Sequence, residues 1–273
     1  MNEYDIQQVA EGVRVIPVRS PTLPPATHTN VWILGDHHVT IVDPASPFVD
    51  EQERLDGLLE MMMVERIVLT HHHADHVGGA LAIKGTTGAK IAAHPLTRDR
   101  VDIPIDELLE EDEIIGTDAG FWRVIHTPGH ATGHICLHNP AIGTIVAGDM
   151  VAGIGTILID PPEGDLGLYL NSLERLKALN PRRLLPAHGP AINNAMGCLD
   201  EYIHHRHMRT EQIVAALENG PHSAHELATH IYSGLVPDAF VPIAARQVLA
   251  HLNWLVAQDR VTQDDTAFSL KST

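Results

Sequence analysis

Cysteine, basic charge and long apolar runs are all scarce in this sequence. Only Cys136 and Cys198 occur among 273 residues, which argues against a disulfide framework and favours a reducing compartment. The 18 basic residues face 35 acidic ones, and this net charge of −17 disfavours polyanionic partners such as nucleic acid. No apolar run reaches membrane-spanning length, and the opening Met1-Asn-Glu-Tyr-Asp5 is unlike a signal peptide. We therefore expect a cytoplasmic protein that does not enter membranes.

Histidine, in contrast, is abundant, and the densest group lies in residues 70–76, which read Thr-His-His-His-Ala-Asp-His. The potential metal ligands form the pattern His71-x-His73-x-Asp75-His76. Residues 65–70 are short and β-branched, which predicts a buried strand before the group. Since alternate side chains of an extended chain share a side, His71 and His73 should point together and His72 away. With 20 histidines a chance cluster is the alternative, but the acidic partner and the strand context favour a metal site.

Four further residues follow short hydrophobic strands and precede a glycine, a proline or a turn. They are Asp43, His130, Asp149 and His188. Strand and helix patterns alternate from residue 13 to residue 185. They predict a layered α/β fold, with two sheets face to face and helices outside, which would bring these strand ends to one edge.

Together these elements resemble the motif set of the metallo-β-lactamase superfamily, over about residues 10 to 195. The resemblance implies that superfamily's αββα sandwich and two metal ions. It implies a first metal held by His71, His73 and His130, and a second held by Asp75, His76 and His188. Asp149 would bridge both ions, and Asp43 would hydrogen-bond a ligand and fix its orientation. His73 is not replaced by Glu, as it is in oxygen-reducing diiron relatives, which favours hydrolysis over redox chemistry.

The implied chemistry is hydrolysis by a hydroxide shared between two metals, without a protein nucleophile. Zinc is the expected ion, at about two per chain, with iron and manganese as alternatives. We assign a catalytic role to Asp75, which would orient the nucleophile as well as bind metal. His134 is a second catalytic candidate because it follows His130 closely. The alternatives are that it supports a metal ligand or that it is simply packed in the core.

After Pro190 the pattern changes to three helices, at residues 199–219, 223–231 and 240–259, and a strand pair at residues 260–270. This arrangement predicts a small winged-helix-like domain, so we divide the chain into a catalytic domain, 1–195, and a C-terminal domain, 196–273. Residues 199–273 hold five basic and nine acidic residues, a net charge of 5 − 9 = −4, and residues 240–259 offer only Arg246. Because a groove-reading helix needs a basic stripe, we favour a structural cap or a homodimer surface over nucleic-acid recognition.

Three segments narrow the resemblance to the β-lactamase-like protein 2 family. They are Gly153-Ile-Gly-Thr156, Tyr169-Leu-Asn-Ser-Leu173 and residues 202–213. Members of that family include endoribonucleases, and other relatives are thioesterases. Residues 127–136 also resemble glyoxalase II, a thioesterase, whose glutathione-binding tail has no counterpart here.

Three functions therefore compete. The leading hypothesis is a hydrolase of a small-molecule ester, thioester or lactone. The alternative is a single-strand-specific endoribonuclease or phosphodiesterase, which the acidic charge disfavours. A non-enzymatic regulator with a structural metal is the third, and the shared, open ligand set argues against it because structural zinc sites are closed four-ligand clusters.

Overall fold

The computed structural model describes residues 6–271, and its largest feature is a pair of β-sheets. The first sheet is antiparallel over its first four strands and parallel over the rest. Its seven strands, in spatial order, are β1 (Gln7–Ala10), β2 (Val13–Arg19), β3 (His28–Leu34), β4 (His38–Val42), β5 (Met63–Leu69), β6 (Lys90–Ala93) and β7 (Glu107–Leu108).

The second sheet has five strands, and only its last two in chain order are parallel to each other. They are β8 (Ile114–Thr117), β9 (Gly120–His126), β10 (Ile135–Asn139), β11 (Thr144–Gly148) and β12 (Arg183–Pro186). The spatial order is β12-β11-β10-β9-β8.

Helices cover the outer faces of both sheets, which gives four layers. Strand β3 shows why: Trp32 and Leu34 pack in the core between the sheets, whereas the alternating Val31 and Ile33 pack in the core beneath the helices. The helices are α1 (Val49–Leu59), α2 (Ala74–Val77), α3 (Ala80–Thr87), α4 (Pro95–Arg98), α5 (Leu166–Ala178) and α6 (Ala195–Leu217). The predicted αββα sandwich is confirmed.

The parallel pairs β4–β5 and β11–β12 determine where the predicted ligands lie. Parallel neighbours end at the same edge of a sheet, so Asp43 and Thr70 are adjacent in the first sheet. Asp149 and His188 are brought together in the same way in the second sheet. This edge of the sandwich therefore collects polar residues from four strand ends.

The C-terminal residues form a winged helix. It contains α7 (Ala224–Tyr232), a 3-10 helix (Asp238–Phe240), α8 (Val241–Ala257) and a sheet of β13 (His222–Ser223), β14 (Val261–Asp264) and β15 (Ala267–Leu270). Helix α7 begins with the reciprocal bonds of a capping box between Ser223 and Glu226.

Helix α6 belongs to two cores. Leu199 packs with the second sheet's outer face, and Ile213 packs inside the winged helix. The helix begins at Ala195, capped by Asn194, so its first half lies on the catalytic sandwich. The division at residues 195/196 remains a prediction. Among residues 6–271 no helix combines the length and apolarity that crossing a bilayer requires.

Candidate metal centre

Three imidazole nitrogens converge just beyond the end of β5. Nδ1 of His73 lies 2.9 Å from Nε2 of His71 and 3.1 Å from Nε2 of His130. Burial, aided by the neighbouring histidines, lowers the pKa of His71 well below its usual value and that of His73 to about 3. The two rings are therefore neutral, the form in which imidazole binds metal. The structure brings together the trio predicted for the first metal.

A second trio lies beside the first. Nε2 of His188 is 3.5 Å from Oδ2 of Asp75, and Nε2 of His76 is 4.0 Å from Oδ1 of the same carboxylate. Asp75 and His76 come from α2, the short helix that follows the histidine run, and His188 follows β12. These are the residues predicted for the second metal, and their candidate ligand atoms lie within 4.8 Å of one another.

Asp149 lies between the two trios, with one oxygen directed to each. Its Oδ1 is 3.6 Å from Nε2 of His76 and 3.4 Å from Nε2 of His188, whereas its Oδ2 is 3.4 Å from Nε2 of His130. Burial raises the pKa of Asp149, but His76 and His188 outweigh it and hold that pKa well below its usual value. The group is therefore a carboxylate whose two oxygens face the two trios.

Two buried atoms of this centre show that its residues fit a cation. Nε2 of His76 and Oδ1 of Asp149 have no hydrogen-bond partner within residues 6–271. Leaving buried polar atoms unpaired is costly, and a divalent ion between them would satisfy both. Five imidazoles and two carboxylates are also the donors that zinc and similar borderline ions prefer.

Asp43 supports the second trio from behind. Its Oδ2 accepts hydrogen bonds from His76 Nδ1 at 2.8 Å and from the Thr70 hydroxyl at 2.6 Å, and its Oδ1 accepts the Thr70 backbone N–H at 2.7 Å. Burial lowers the pKa of His76, but the Asp43 and Asp149 carboxylates outweigh it and raise that pKa well above the usual value. The bond to Nδ1 directs Nε2 into the centre, the orienting role expected of Asp43.

His134 lies beneath the centre instead of lining it. The ring is fully buried, Nδ1 is 2.8 Å from the Thr127 hydroxyl, and Nε2 accepts the backbone N–H of Asp149 at 3.0 Å. Gly148 has a φ of 49°, and a Cβ there would lie only 2.5 Å from the same Nε2. Because the ring is enclosed and both nitrogens are used within the protein, His134 is placed to position Asp149 and not to line the open side of the centre.

Two tyrosines secure the chain after Asp149. The Tyr169 hydroxyl donates to the Met150 carbonyl at 2.7 Å, and the Tyr202 hydroxyl accepts the Ala152 N–H at 2.9 Å. Burial raises the pKa of both hydroxyls, so they remain protonated.

Glu163 is a rim residue that the sequence analysis did not identify. Its Oε2 lies 3.2 Å from Nε2 of His72 and 3.9 Å from Nε2 of His73, and its Oε1 accepts the Thr132 N–H at 3.4 Å. His72 belongs to neither ligand trio, but its ring centroid lies 4.8 Å from that of His73 and its Nε2 faces this carboxylate. No local motif identifies Glu163, because it lies in an irregular segment far along the chain from the histidines.

The αββα sandwich and the cluster of histidines and aspartates at its edge are features of one class of protein, and comparison with known proteins identifies the same class. Residues 24–188 match the family model of the metallo-β-lactamase superfamily, and residues 223–269 match that of the β-lactamase-associated winged helix domain. The chain belongs to the metallo-β-lactamase superfamily, whose members include metal-dependent hydrolases, and it is an enzyme of that kind.

Within the superfamily the similarity is more specific. A β-lactamase-like protein 2 homologue from Drosophila melanogaster is 32% identical over 256 residues, which cover 88% of this chain and 86% of that protein. The chain thus groups with the β-lactamase-like protein 2 homologues, as the sequence resemblance indicates.

Two solved structures are informative. A metallo-β-lactamase family protein from Thermus thermophilus superposes with a TM-score of 0.82 at 25% identity, covering 97% of this chain and 100% of that one. A second protein, solved in a di-iron-bound form, has a TM-score of 0.54 at 27% identity and covers 66% of this chain and 96% of its own.

Proposed function

We propose that this chain is a dinuclear zinc hydrolase that acts on a small-molecule ester, thioester or lactone. The observation that carries the proposal is the division of the Asp149 carboxylate, with Oδ1 toward His76 and His188 and Oδ2 toward His130. A carboxylate between two imidazole groups suits two ions better than one. His71, His73 and His130 would hold the first ion, and Asp75, His76 and His188 the second.

The residues at the open side of the centre suit hydrolysis without a protein nucleophile. Two bound ions would acidify a water toward neutrality and polarise the substrate's carbonyl oxygen. Asp75, whose side chain is 16% exposed, would orient that water and accept its proton. The same proton would then pass to the departing alkoxide or thiolate, so that an acid and an alcohol or thiol result.

The surroundings of His188 support a substrate with apolar parts. Gly153 donates its N–H to the His188 carbonyl at 2.7 Å, which places the backbone of the 44%-exposed Ile154 against Gly189, next to the ligand candidate His188. The loop between β2 and β3 approaches there too, because a Cβ on Gly155 would lie 3.0 Å from Pro25. That loop also carries Leu23, which is 56% exposed. Exposed apolar side chains suit an acyl group better than a phosphate backbone.

Zinc is proposed on the donor set. Imidazole-rich sites accept zinc, iron and other divalent ions, and the di-iron relative shows that a similar fold can hold iron. Protein purified without chelators and then reconstituted separately with zinc, iron and manganese would rank the ions by the activity that each restores.

A substrate panel tests the proposal directly. Initial rates should be measured on thioesters, lactones, simple esters and single-stranded RNA, with Asp149→Asn as the matched control because it keeps the side chain's size. Turnover of a carbonyl substrate by the wild type alone supports the proposal. Cleavage of the RNA without carbonyl hydrolysis would replace it with the endoribonuclease alternative.

A further inference from the structure

Residues 157–163, here called the linking segment, lie between the metal centre and the C-terminal winged helix. On the side of the metal centre the segment contacts two of the predicted first-metal ligands. The Leu158 carbonyl accepts the Nδ1 hydrogen of His130 at 2.8 Å, and Glu163 lies 3.2 Å from His72 and 3.9 Å from His73.

On its other side the linking segment is held by the C-terminal helices. Nη2 of Arg206, on α6, donates to the Ile157 carbonyl at 2.6 Å. The backbone N–H of Ile159 donates to Oε1 of Gln247, on α8, at 2.9 Å. The contacts alternate along the chain: the carbonyl of residue 157 accepts from a C-terminal helix, and the carbonyl of residue 158 accepts from the metal centre.

A third contact extends this attachment. Nε of Arg246, also on α8, lies 2.5 Å from Oδ1 of Asp160. Arg246 is the single basic residue of α8, which in a DNA-binding winged helix would be the recognition helix. Here it pairs with the catalytic domain instead.

Burial makes two of these contacts difficult to replace. Arg206 is 3% exposed and Gln247 is 7% exposed, and the segment's Ile157 and Ile159 are both within the core of the second sheet. Water has little access to the Ile157 carbonyl or the Ile159 N–H, so loss of either side chain would leave a buried backbone group unsatisfied. The segment would have to shift to recover a partner.

Such a shift would reach the metal ligands. The orientation of a metal-binding imidazole is determined by the acceptor on its other nitrogen, which for His130 is the Leu158 carbonyl. Leu158 lies between the two residues that the C-terminal helices hold. Displacement of the segment would therefore rotate His130 and withdraw Glu163 from His73.

We propose that Gln247 and Arg206 are positioning residues for the metal centre, so that helices α6 and α8 hold the linking segment, and through it the Leu158 carbonyl and Glu163 behind the first-metal ligands. The inference rests on the proposed metal function. It assigns the C-terminal domain a task in this enzyme other than nucleic-acid binding.

Metal affinity and a spectroscopic signature test the inference in the full chain. Gln247→Met keeps the side chain's length but removes the acceptor, and Gln247→Glu retains an acceptor oxygen. Zinc affinity should be measured by chelator competition, and the visible absorption of the cobalt-substituted protein should report ligand geometry. We expect about 10-fold weaker zinc binding and an altered cobalt spectrum for Gln247→Met. Gln247→Glu should restore both.

Val248→Ala is the matched control, because Val248 is the next residue of α8 and packs only in the winged-helix core cluster. It should lower thermal stability while zinc affinity and the cobalt spectrum stay as in the wild type. Arg246→Gln provides a second variant in case Gln247→Met does not fold, since the Arg246 side chain is 58% exposed. It should change the cobalt spectrum in the same direction, whereas Arg260→Gln, which removes a pair with Glu211 elsewhere in the domain, should not.

The outcomes separate the two proposals. A wild-type chain that binds neither zinc nor cobalt would overturn the proposed function itself. A wild-type chain that binds both, with Gln247→Met and Arg246→Gln indistinguishable from it in affinity and spectrum, would leave the function standing and overturn this inference.

Discussion

The imidazole of His134 accepts the backbone N–H of Asp149 at 3.0 Å, and the histidine ring is wholly enclosed. The bond fixes the backbone of the residue whose two oxygens face the two ligand trios. Burial lowers the pKa of His134 well below its usual value, which keeps Nε2 available as an acceptor.

His134→Ala should therefore weaken metal binding without removing a ligand. Loss of a residue that positions a metal ligand by a hydrogen bond typically costs about 10–100-fold in metal affinity. The orphaned Asp149 N–H should also lower the free energy of unfolding of the metal-free protein by about 1–3 kcal/mol. Chelator competition and urea unfolding measure the two effects, with the exposed His230→Ala as control. Unchanged metal affinity in a folded variant would contradict the role assigned to His134.

Asp149→Ala should reduce the metal content from about two ions per chain and abolish turnover, because it removes the group shared by both trios. The loss of activity should exceed the roughly 10–100-fold expected when a residue that only positions a ligand is removed. His72→Ala should be milder, since His72 belongs to neither ligand trio, although its ring lies beside that of His73 and its Nε2 is 3.2 Å from Glu163. Elemental analysis and initial rates check both variants. Equal losses, or full activity with a single ion, would rule out the dinuclear arrangement.

Stability should fall as the pH drops through the ordinary range of histidine, in part because of His251. Burial lowers the pKa of His251 well below 6.5, and Arg206 and Arg209 lower it further. The unfolded chain therefore binds a proton near pH 6.5 that the folded chain does not. The wild type should lose stability below that pH, by up to about 1.4 kcal/mol per pH unit for this one group.

His251→Gln should remove the contribution of His251 to the pH dependence of stability. In the wild type the Thr210 hydroxyl lies 2.8 Å from His251 Nδ1, and the glutamine amide should retain a polar contact to it. Urea unfolding at about pH 7.5 and about pH 5.5 should show a smaller pH effect for the variant than for the wild type. His230→Gln, on the exposed surface of α7, serves as control. Identical pH dependence for all three proteins would refute the assignment.

The whole protein should bind duplex DNA weakly and with little dependence on salt. Within residues 199–271 the basic side chains are buried, as for Arg206 and Arg209, or lie beside a carboxylate, as for Arg246, Arg260 and Lys271. Few phosphates can then be neutralised, so we expect a Kd no tighter than about 10⁻⁴ M at physiological salt. Fluorescence anisotropy at low and physiological salt, with duplex DNA and single-stranded RNA, measures this. Tight binding with a steep salt slope would favour the endoribonuclease.

The sequence predicted the architecture, and its resemblance to the metallo-β-lactamase superfamily supplied the seven ligand candidates that the fold brings together. Each candidate lies next to a strongly apolar strand, and parallel strands end at a common edge whatever the details of packing. The histidines and the aspartate of residues 71–76 lie within one short motif, so they could be identified as candidate ligands from neighbouring residues alone. Strand β1 was not predicted, because Gln7 and Gln8 give an edge strand no hydrophobic alternation.

Apart from the contact of Asp43, the contacts that support the ligands could be seen only in the tertiary structure. Glu163 reaches His72 from an irregular segment, and Gln247 reaches Ile159 from another domain. A sequence pattern records the period of one helix or strand, but not which atoms from distant elements meet. The roles of His134, the linking segment and the winged helix depend on hydrogen bonds across such distances, and those bonds exist only once the two cores have packed around α6.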